Sequence, residues 1–195
     1  MTRDLEVVAD AERARVLLQE NRLALLEHLG EPASAADLAR RLDLPRQRIN
    51  YHLRELEAAD LVEVVEERQR GNVTERTYRR SGSRFVLSDA ALGPLGPDPA
   101  ELEDRFSSAY QVALAARAVR ELGALRSGAR AAGKRLPTFA LEVDVRFASA
   151  ERRGAFAEKL AAAVADLVRK YHDDDAPRGR VQRFYLGSYP RPKGG

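Results

Sequence analysis

Two short helical patterns, joined by a proline break and followed at once by an arginine-rich extended stretch, occupy Ser34–Arg80. Ser34 is suited to cap the first helix and Asp37 to complete a capping box, because together they satisfy backbone amides that lack partners inside the helix. Leu38 and Leu42 then recur at helical spacing, so one face can pack. This order of elements predicts a helix-turn-helix followed by a β-hairpin.

The second helix begins near Pro45. The tripeptide Asp43-Leu44-Pro45 ends the helix before it, because a residue that precedes proline is driven out of the helical region, whereas proline suits a first helical turn. Ile49, Leu53 and Leu56 recur at spacings of four and three and predict the inward face. The outward positions carry guanidinium, amide and hydroxyl groups, which contact base edges and phosphates in DNA: Arg46, Gln47, Arg48, Asn50, Tyr51 and Arg54.

After Leu61 a β-branched, extended pattern replaces the helical period. It predicts two strands around Gly71-Asn72, a pair that permits the positive φ of a tight turn. Between Arg68 and Arg84 six arginines stand against one acid, a local charge of +5 in a chain whose net charge is +3. A hairpin of this kind is suited to phosphates, and the alternative is a solvated hairpin. The arginines that we predict to contact DNA here are Arg68, Arg70, Arg76 and Arg79.

Three stretches of this region resemble the ArsR-type winged-helix transcriptional regulators of bacteria. They are 36–42 (Ala-Asp-Leu-Ala-Arg-Arg-Leu), 49–56 (Ile-Asn-Tyr-His-Leu-Arg-Glu-Leu) and 59–62 (Ala-Asp-Leu-Val), and Tyr78 fits the tyrosine that often closes the family's wing. The resemblance extends over roughly the first 90 residues. It implies a winged helix-turn-helix fold and a homodimeric repressor on a palindromic operator in double-stranded DNA, with the second helix in the major groove.

Two residues depart from the family pattern. Asn50 stands where the family has a serine, and Asp60 stands where it has the glycine that helps to end the recognition helix. His52 matches the family histidine. We interpret His52 as a packing or phosphate-contacting residue rather than a catalytic or metal-binding one.

Composition excludes several classes of function. The chain has 195 residues, 44% of them apolar, which is enough for one or two domains with cores. It has no cysteine, so disulfides, thiolate chemistry and cysteine metal sites are excluded. It contains no apolar run near 18 residues and no signal peptide, so we expect a cytoplasmic protein that does not span a membrane.

Motifs for catalysis are missing from the sequence. We find no glycine-rich phosphate loop, nucleophile elbow or paired-histidine motif. His28 and His172, the latter followed by three aspartates, are interpreted as polar residues at helix ends. We therefore predict no catalytic residue, no metal site, no cofactor and no enzymatic activity.

A glycine- and proline-rich stretch divides the chain. Residues 93–99 contain two glycines and three prolines, which predict a linker. A winged helix-turn-helix domain is expected at 1–92, beginning with one long amphipathic helix over residues 10–29. Residues 100–195 are expected to form a second domain.

The second domain has the pattern helix, strand, helix, strand. A long alanine-rich helix is followed by an alternating segment at 141–147, an amphipathic helix at 150–171 and a second strand at 181–186. This order predicts a small β-α-β module, and hence an α+β fold for the whole chain. Because a two-stranded sheet is not stable alone, the long helix, the winged domain or a second subunit must cover it.

Nine of the twelve Phe and Tyr residues lie beyond position 100. One interpretation is that they fill the core and a dimer interface of the second domain. The other is that some of them line a pocket for a small, non-metal effector. The residues proposed for that pocket are Phe106, Tyr110, Phe147 and Phe184.

The sequence therefore favours a homodimeric DNA-binding regulator, a repressor by its resemblance. Two other classes remain open. A winged-helix module that binds proteins instead of DNA would present an acidic or neutral second helix, and an enzyme would place convergent polar groups in the C-terminal module.

Overall fold

A computed structural model of the chain describes residues 4–70 and 73–192, without the side chains of Arg70 and Val73. The described residues divide into two compact units. The first extends to Leu136 and includes the residues from Gly187 onward, and the second is Pro137–Leu186. This division differs from the expected boundary at 93–99, because the long helix after that stretch packs against the N-terminal strand instead of forming a separate domain.

The first unit contains a winged domain, which we define as its first nine elements. The bounds of these elements are β1 (Glu6–Val8), α1 (Ala11–Leu17), α2 (Glu20–His28), β2 (Ala33–Ser34), α3 (Ala35–Leu42), α4 (Arg46–Ala58), β3 (Val62–Arg70), β4 (Val73–Arg80) and β5 (Phe85–Leu87). Two short 3-10 segments follow, at Asp89–Leu95 and Pro99–Glu101, and then the long helix α5 (Ser108–Ala131). The chain thus has a winged helix-turn-helix followed by a long helix, as predicted.

The helix expected over residues 10–29 is two helices. Gln19 has φ −71° and ψ 127°, an extended conformation that separates α1 from α2. The interruption redirects the chain, so that Leu17 of α1 and Leu25 of α2 both reach the core.

The capping box at the start of α3 forms as predicted. Ser34 Oγ accepts a hydrogen bond from the Asp37 amide at 3.2 Å, and Asp37 Oδ2 accepts one from the Ser34 amide at 3.2 Å. Hydrogen bonds from Ser34 are the main cause of a lowered pKa at Asp37, with a further contribution from Arg40. Asp43 ends α3 in the left-handed region with φ 51°, and Pro45 precedes α4.

The core of the winged domain lies between its helices and β2–β4. Ile49, Leu53 and Leu56 of α4 are fully buried, as their spacing predicted, and they pack with Leu38 of α3. Fully burying a side chain of this size contributes about 1.5–3 kcal/mol relative to leaving it in water.

The predicted hairpin is confirmed in β3 and β4, which pair antiparallel with an irregularity between Val64 and Glu66. Strand β2 adds to the other edge of β4, giving the order β2-β4-β3, and buried Tyr78 lies opposite Ala33. The turn expected at Gly71-Asn72 lies outside the described residues.

Helix α5 packs on the winged domain through β1, which pairs in parallel with β5. An added Cβ at Gly123 would lie 2.7 Å from Val7 Cγ1, so only glycine permits this approach of helix to strand. Arg120 forms an ion pair with Asp89, whose side chain is buried. No helix within the described residues is long and apolar enough to cross a membrane.

The Pro137–Leu186 unit contains helix α6 (Ala150–Tyr171), which matches the predicted helix. Ser149 caps it by accepting a hydrogen bond from the Arg152 amide at 3.3 Å. The rings of Phe147 and Phe156 pack with centroids 5.3 Å apart.

The β-α-β interpretation of this unit needs a correction. Neither 141–147 nor 181–186 forms a backbone ladder within the part of the chain that the structure describes. Val143 and Val181 are 69% and 100% exposed, so the apolar faces of these segments are uncovered. The physical reason is that two strands alone bury too little apolar surface to offset their ordering.

Two glycines of α5 give a matched test of this packing. We expect Gly123→Ala to destabilise the first unit by about 1–3 kcal/mol, because the new methyl group overlaps Val7. Gly128→Ala meets open space and is expected to stabilise α5 by about 0.5–1 kcal/mol. Chemical denaturation measures both changes, and a stabilising Gly123→Ala would contradict the close approach.

Candidate nucleic-acid interface

Helix α4 presents the predicted polar residues outside the stripe that its buried Ile49, Leu53 and Leu56 form. Asn50 is half-buried, and Tyr51 is 56% exposed. The remaining members of the predicted set on this helix are all exposed: Arg46, Gln47, Arg48 and Arg54. The structure therefore brings the six residues onto one accessible helix, while their contact with DNA stays a prediction.

The cations of α4 are available for phosphates. Arg46, Arg48 and Arg54 form no ion pair within the described residues. The first turn of α4 also has no acidic residue, so the positive end of the helix dipole is not neutralised there. This end of the helix favours an anion.

The wing, which consists of β3 and β4, has arginines that form ion pairs, unlike those of α4. Arg68 pairs with Glu66 at 2.7 Å, and Arg79 pairs with Glu63 at 2.7 Å. The guanidinium of Arg76 lies 2.9 Å from Glu67 and 3.4 Å from Glu57. Each pair joins an arginine predicted to bind DNA to an acid of the same chain. The Arg70 side chain lies outside the described residues.

These pairs change the electrostatic argument for the wing. The local charge of +5 was counted along one stretch, but pairing of β3 with β4 places the β3 acids beside the β4 arginines. Over 62–84 there are six arginines and four glutamates, a net +2. A wing arginine must therefore exchange an internal carboxylate for a phosphate, whereas an α4 arginine need not.

A cleft of about 600 Å³ lies between the helix-turn-helix and the wing. It carries three guanidinium groups and three carboxylates, so its charge is mixed. The lining residues are Ser34, Ala36, Asp37, Ala39, Arg40, Arg46, Glu66, Arg68, Glu75 and Thr77.

A buried polar cluster under α4 was not predicted. Arg22 of α2 is only 2% exposed, and its Nη2 donates to Glu55 Oε2 of α4 at 3.2 Å. His52 is buried near it, and within the described residues its ring nitrogens have no hydrogen-bond partner. The signal in the sequence was an arginine on the apolar side of an amphipathic helix, three positions before Leu25.

The pKa of His52 is lowered. Burial is the largest cause, the positive charges of Arg22 and Arg48 lower it further, and Glu55 acts in the opposite direction. His52 is therefore held neutral inside the fold, which agrees with its interpretation as a packing residue.

A second unpredicted residue holds the end of α4. Arg13 Nε donates to the Ala59 carbonyl at 2.8 Å, and its Nη2 lies 3.4 Å from the Asp60 carbonyl and 3.1 Å from Glu6 Oε1. A cation at a helix C-terminus is favoured by the helix dipole. Arg13 thus ties β1 to the recognition helix.

The residues predicted for an effector pocket belong to both units of the chain. Phe106 is fully exposed and Tyr110 lies on α5, both in the first unit, whereas Phe147 and Phe184 belong to Pro137–Leu186. None of them lines the cleft described above. A smaller apolar cleft of about 280 Å³ in the winged domain is lined by Leu17, Leu18, Leu23, Leu26, Glu27, Arg80, Phe85 and Leu87.

Comparison with known proteins agrees with the helix-turn-helix. Residues 17–65 match a family model described as a helix-turn-helix domain. No curated protein matches the chain. Among solved structures, reduced HlyU from Vibrio cholerae N16961 is 25% identical, with 37% of this chain and 72% of that chain covered and a TM-score of 0.31. NolR from Sinorhizobium fredii is 26% identical over 37% and 69%, also with a TM-score of 0.31.

The winged fold and the family match together support a DNA-binding transcriptional regulator. Membership of the ArsR type stays a prediction. Within the described residues no group of three or more histidine or carboxylate side chains is arranged to hold a metal ion.

The buried histidine gives a pH-dependent prediction. Because its pKa is lower in the folded state than the usual value of about 6.5, the unfolded chain binds a proton first as pH falls. We expect stability contributed by neutral His52 to be fully present above pH ~6.5 and to be lost as pH falls through the folded-state pKa.

Thermal unfolding between pH 7.5 and 5 checks this, with His52→Gln as the test and His28→Gln, at an exposed position, as the control. His52→Gln should reduce the dependence of the unfolding temperature on pH, whereas His28→Gln should leave that dependence unchanged. Equal slopes for wild type and His52→Gln would show that His52 is not the responsible group.

Proposed function

We propose that this chain is a transcriptional regulator that binds a palindromic operator in double-stranded DNA as a homodimer and acts as a repressor. The observation that carries the proposal is α4, whose exposed face offers three arginines that form no ion pair in the described part of the chain. Its opposite face is anchored in the core by three fully buried side chains. The repressor role follows from the resemblance to ArsR-type regulators.

In this proposal α4 enters the major groove. Gln47, Arg48, Asn50 and Tyr51 lie nearest the bases, because amides and guanidinium groups match the edges of adenine and guanine. Arg46 and Arg54 contact phosphates. Two copies of α4 related by a two-fold axis would read half-sites about 34–36 Å apart, which is why the operator is expected to be palindromic.

The wing has a secondary role. Arg70 is a further phosphate contact that the sequence predicts. Arg68, Arg76 and Arg79 reach phosphates only by leaving internal carboxylates, which are Glu66 for Arg68, Glu57 and Glu67 for Arg76, and Glu63 for Arg79. Their net contribution to affinity is therefore smaller than that of α4.

Regulation by a small, non-metal ligand remains part of the proposal, and no catalytic residue or cofactor is assigned. A winged-helix module that binds proteins instead of DNA is disfavoured by the basic, amide-rich outer face of α4. Capture of fragments of the source genome by the purified protein tests the proposal and identifies the operator. Failure to enrich any sequence, with no binding of random DNA at low salt, would refute it.

The salt dependence of DNA binding separates the two groups of arginines. Each phosphate contact contributes about 0.9 to the slope of log K against log salt. We expect Arg54→Ala to lower the slope by about this amount, because Arg54 is exposed and forms no ion pair with the residues that the structure describes. Arg79→Ala should lower it much less, since Arg79 is held by Glu63. Equal reductions in fluorescence-anisotropy titrations would contradict this ranking.

Base discrimination tests Asn50. An amide that makes two hydrogen bonds to adenine contributes about 1–3 kcal/mol of discrimination. We expect Asn50→Ala to weaken operator binding by that amount and to leave affinity for random DNA nearly unchanged. Arg54→Ala is the control, because loss of a phosphate contact weakens both. A uniform loss for Asn50→Ala would assign it to the backbone instead of the bases.

A further inference from the structure

The Pro137–Leu186 unit has no buried residue. Its Phe147, Val164 and Ala176 are half-buried and its other residues are exposed. A segment of about 50 residues cannot offset the entropy of ordering without removing apolar side chains from water. The unit is therefore incomplete in a single chain.

The exposed apolar surface is of the size that a stable dimer needs. Eleven Phe, Leu and Val side chains of the unit are 43–100% exposed, from Leu160 to Val181. With about 200 Å² for a whole aromatic and about 100 Å² for an aliphatic side chain, they offer roughly 900 Å². Specific interfaces bury about 800 Å² on each partner.

The surface is patterned as a sheet face. Leu141, Val143, Val145 and Phe147 alternate with the charged residues Glu142, Asp144 and Arg146. Side chains alternate between the two faces of a strand, so residues of one kind would share a face. No backbone ladder joins this segment to another strand within the described residues.

The segment is complementary to itself in one antiparallel register. Pairing two copies about Val145 places Val143 of one copy opposite Phe147 of the other and Asp144 opposite Arg146. Pairing about Val143 sets Glu142 opposite Asp144, and pairing about Asp144 or Arg146 sets that residue opposite itself. Like charges directly opposite are destabilising, whereas opposite charges contribute favourably.

We propose that a second copy of this chain covers the unit: two 141–147 segments pair antiparallel about Val145, and each 181–186 segment flanks its own 141–147 segment. The result is a four-stranded sheet with both α6 helices on one face. Four strands covered by helices meet the condition for stability that two strands fail. This inference rests on the homodimer of the proposed function and assigns its interface.

Adjacent positions on opposite faces provide the test in the full-length chain. Val143→Lys and Glu142→Lys introduce the same side chain, and sedimentation velocity over a concentration series measures dimer dissociation. We expect Val143→Lys to raise the dissociation constant at least about 100-fold, since each dimer carries the change twice. Glu142→Lys should change it less than about threefold. A wild-type monomer, or a Val143→Lys dimer of unchanged affinity, would overturn the proposal.

The register has its own test. We expect Arg146→Asp to weaken the dimer about tenfold, and Asp144→Arg combined with Arg146→Asp to restore it, because the opposite charges are exchanged but still face each other. Absence of restoration would reject the register about Val145.

A spin label provides a second test in case a charged variant does not fold. The chain has no cysteine, so Val143→Cys and Glu142→Cys each give one site for a spin label. A label at 143 should be immobilised at high protein concentration and become mobile on dilution, whereas a label at 142 should stay mobile. Mobility at 143 at every concentration would overturn the proposal.

Binding of random DNA at low salt is measured on the same samples. If dimerisation is unaffected by Val143→Lys while DNA is bound, the interface is wrong and the proposed function stands. If the dimer behaves as expected but binds no DNA, the proposed function is wrong and the interface stands. A third outcome is a monomer in which the label at 143 is immobilised only when an apolar compound is added. That outcome would overturn the proposal, because a ligand and not a second copy would then cover the unit.

Discussion

The placement of α4 is the constraint on which the rest of the winged domain depends. Its three apolar residues are fully buried, yet the same helix must hold its polar face in solvent. Two charged contacts fix the helix as well: Arg22 to Glu55 on its side and Arg13 to the carbonyls at its end. Loss of Glu55 would leave Arg22 as a buried charge with no acid, which is more destabilising than the loss of an exposed ion pair. Packing and electrostatics therefore fix one orientation of the recognition helix.

The distribution of acids separates the arginines of α4 from those of the wing. On the wing, internal carboxylates hold Arg68, Arg76 and Arg79, while on α4 no acid precedes Glu55. An arginine that must break an internal ion pair to contact a phosphate contributes less to the free energy of DNA binding than an arginine that is solvated before binding. In the proposed function, this arrangement would limit nonspecific binding by the wing and would leave the helix proposed to discriminate bases with the larger share of affinity.

Local signals made much of the fold predictable. The Ser34 capping box, the break before Pro45 and the spacing of Ile49 each act within a few residues, and each is confirmed. The α4 set could be predicted because burial of one helix face exposes the other. The wing pairs, the Arg22–Glu55 contact and the packing of α5 on β1 depend on residues far apart in the chain, so no local pattern revealed them. The segment 141–147 has the local pattern of a strand but forms no backbone ladder within the described residues, because a strand also needs a partner that its own sequence does not specify.

The two departures from the family pattern have different consequences. Asp60 replaces a glycine, but it adopts the positive φ of 53° that favours glycine, and aspartate tolerates this region better than most residues. Arg13 lies beside the carbonyls of residues 59 and 60, so α4 still ends at Ala58 as a capped helix. This departure therefore leaves the shape of the recognition helix intact. Asn50 lies on the outer part of that helix, where its amide can face a base. In the proposed function, a difference in operator preference from a serine-bearing relative is therefore expected to arise at Asn50 and its exposed neighbours, and not from the end of the helix.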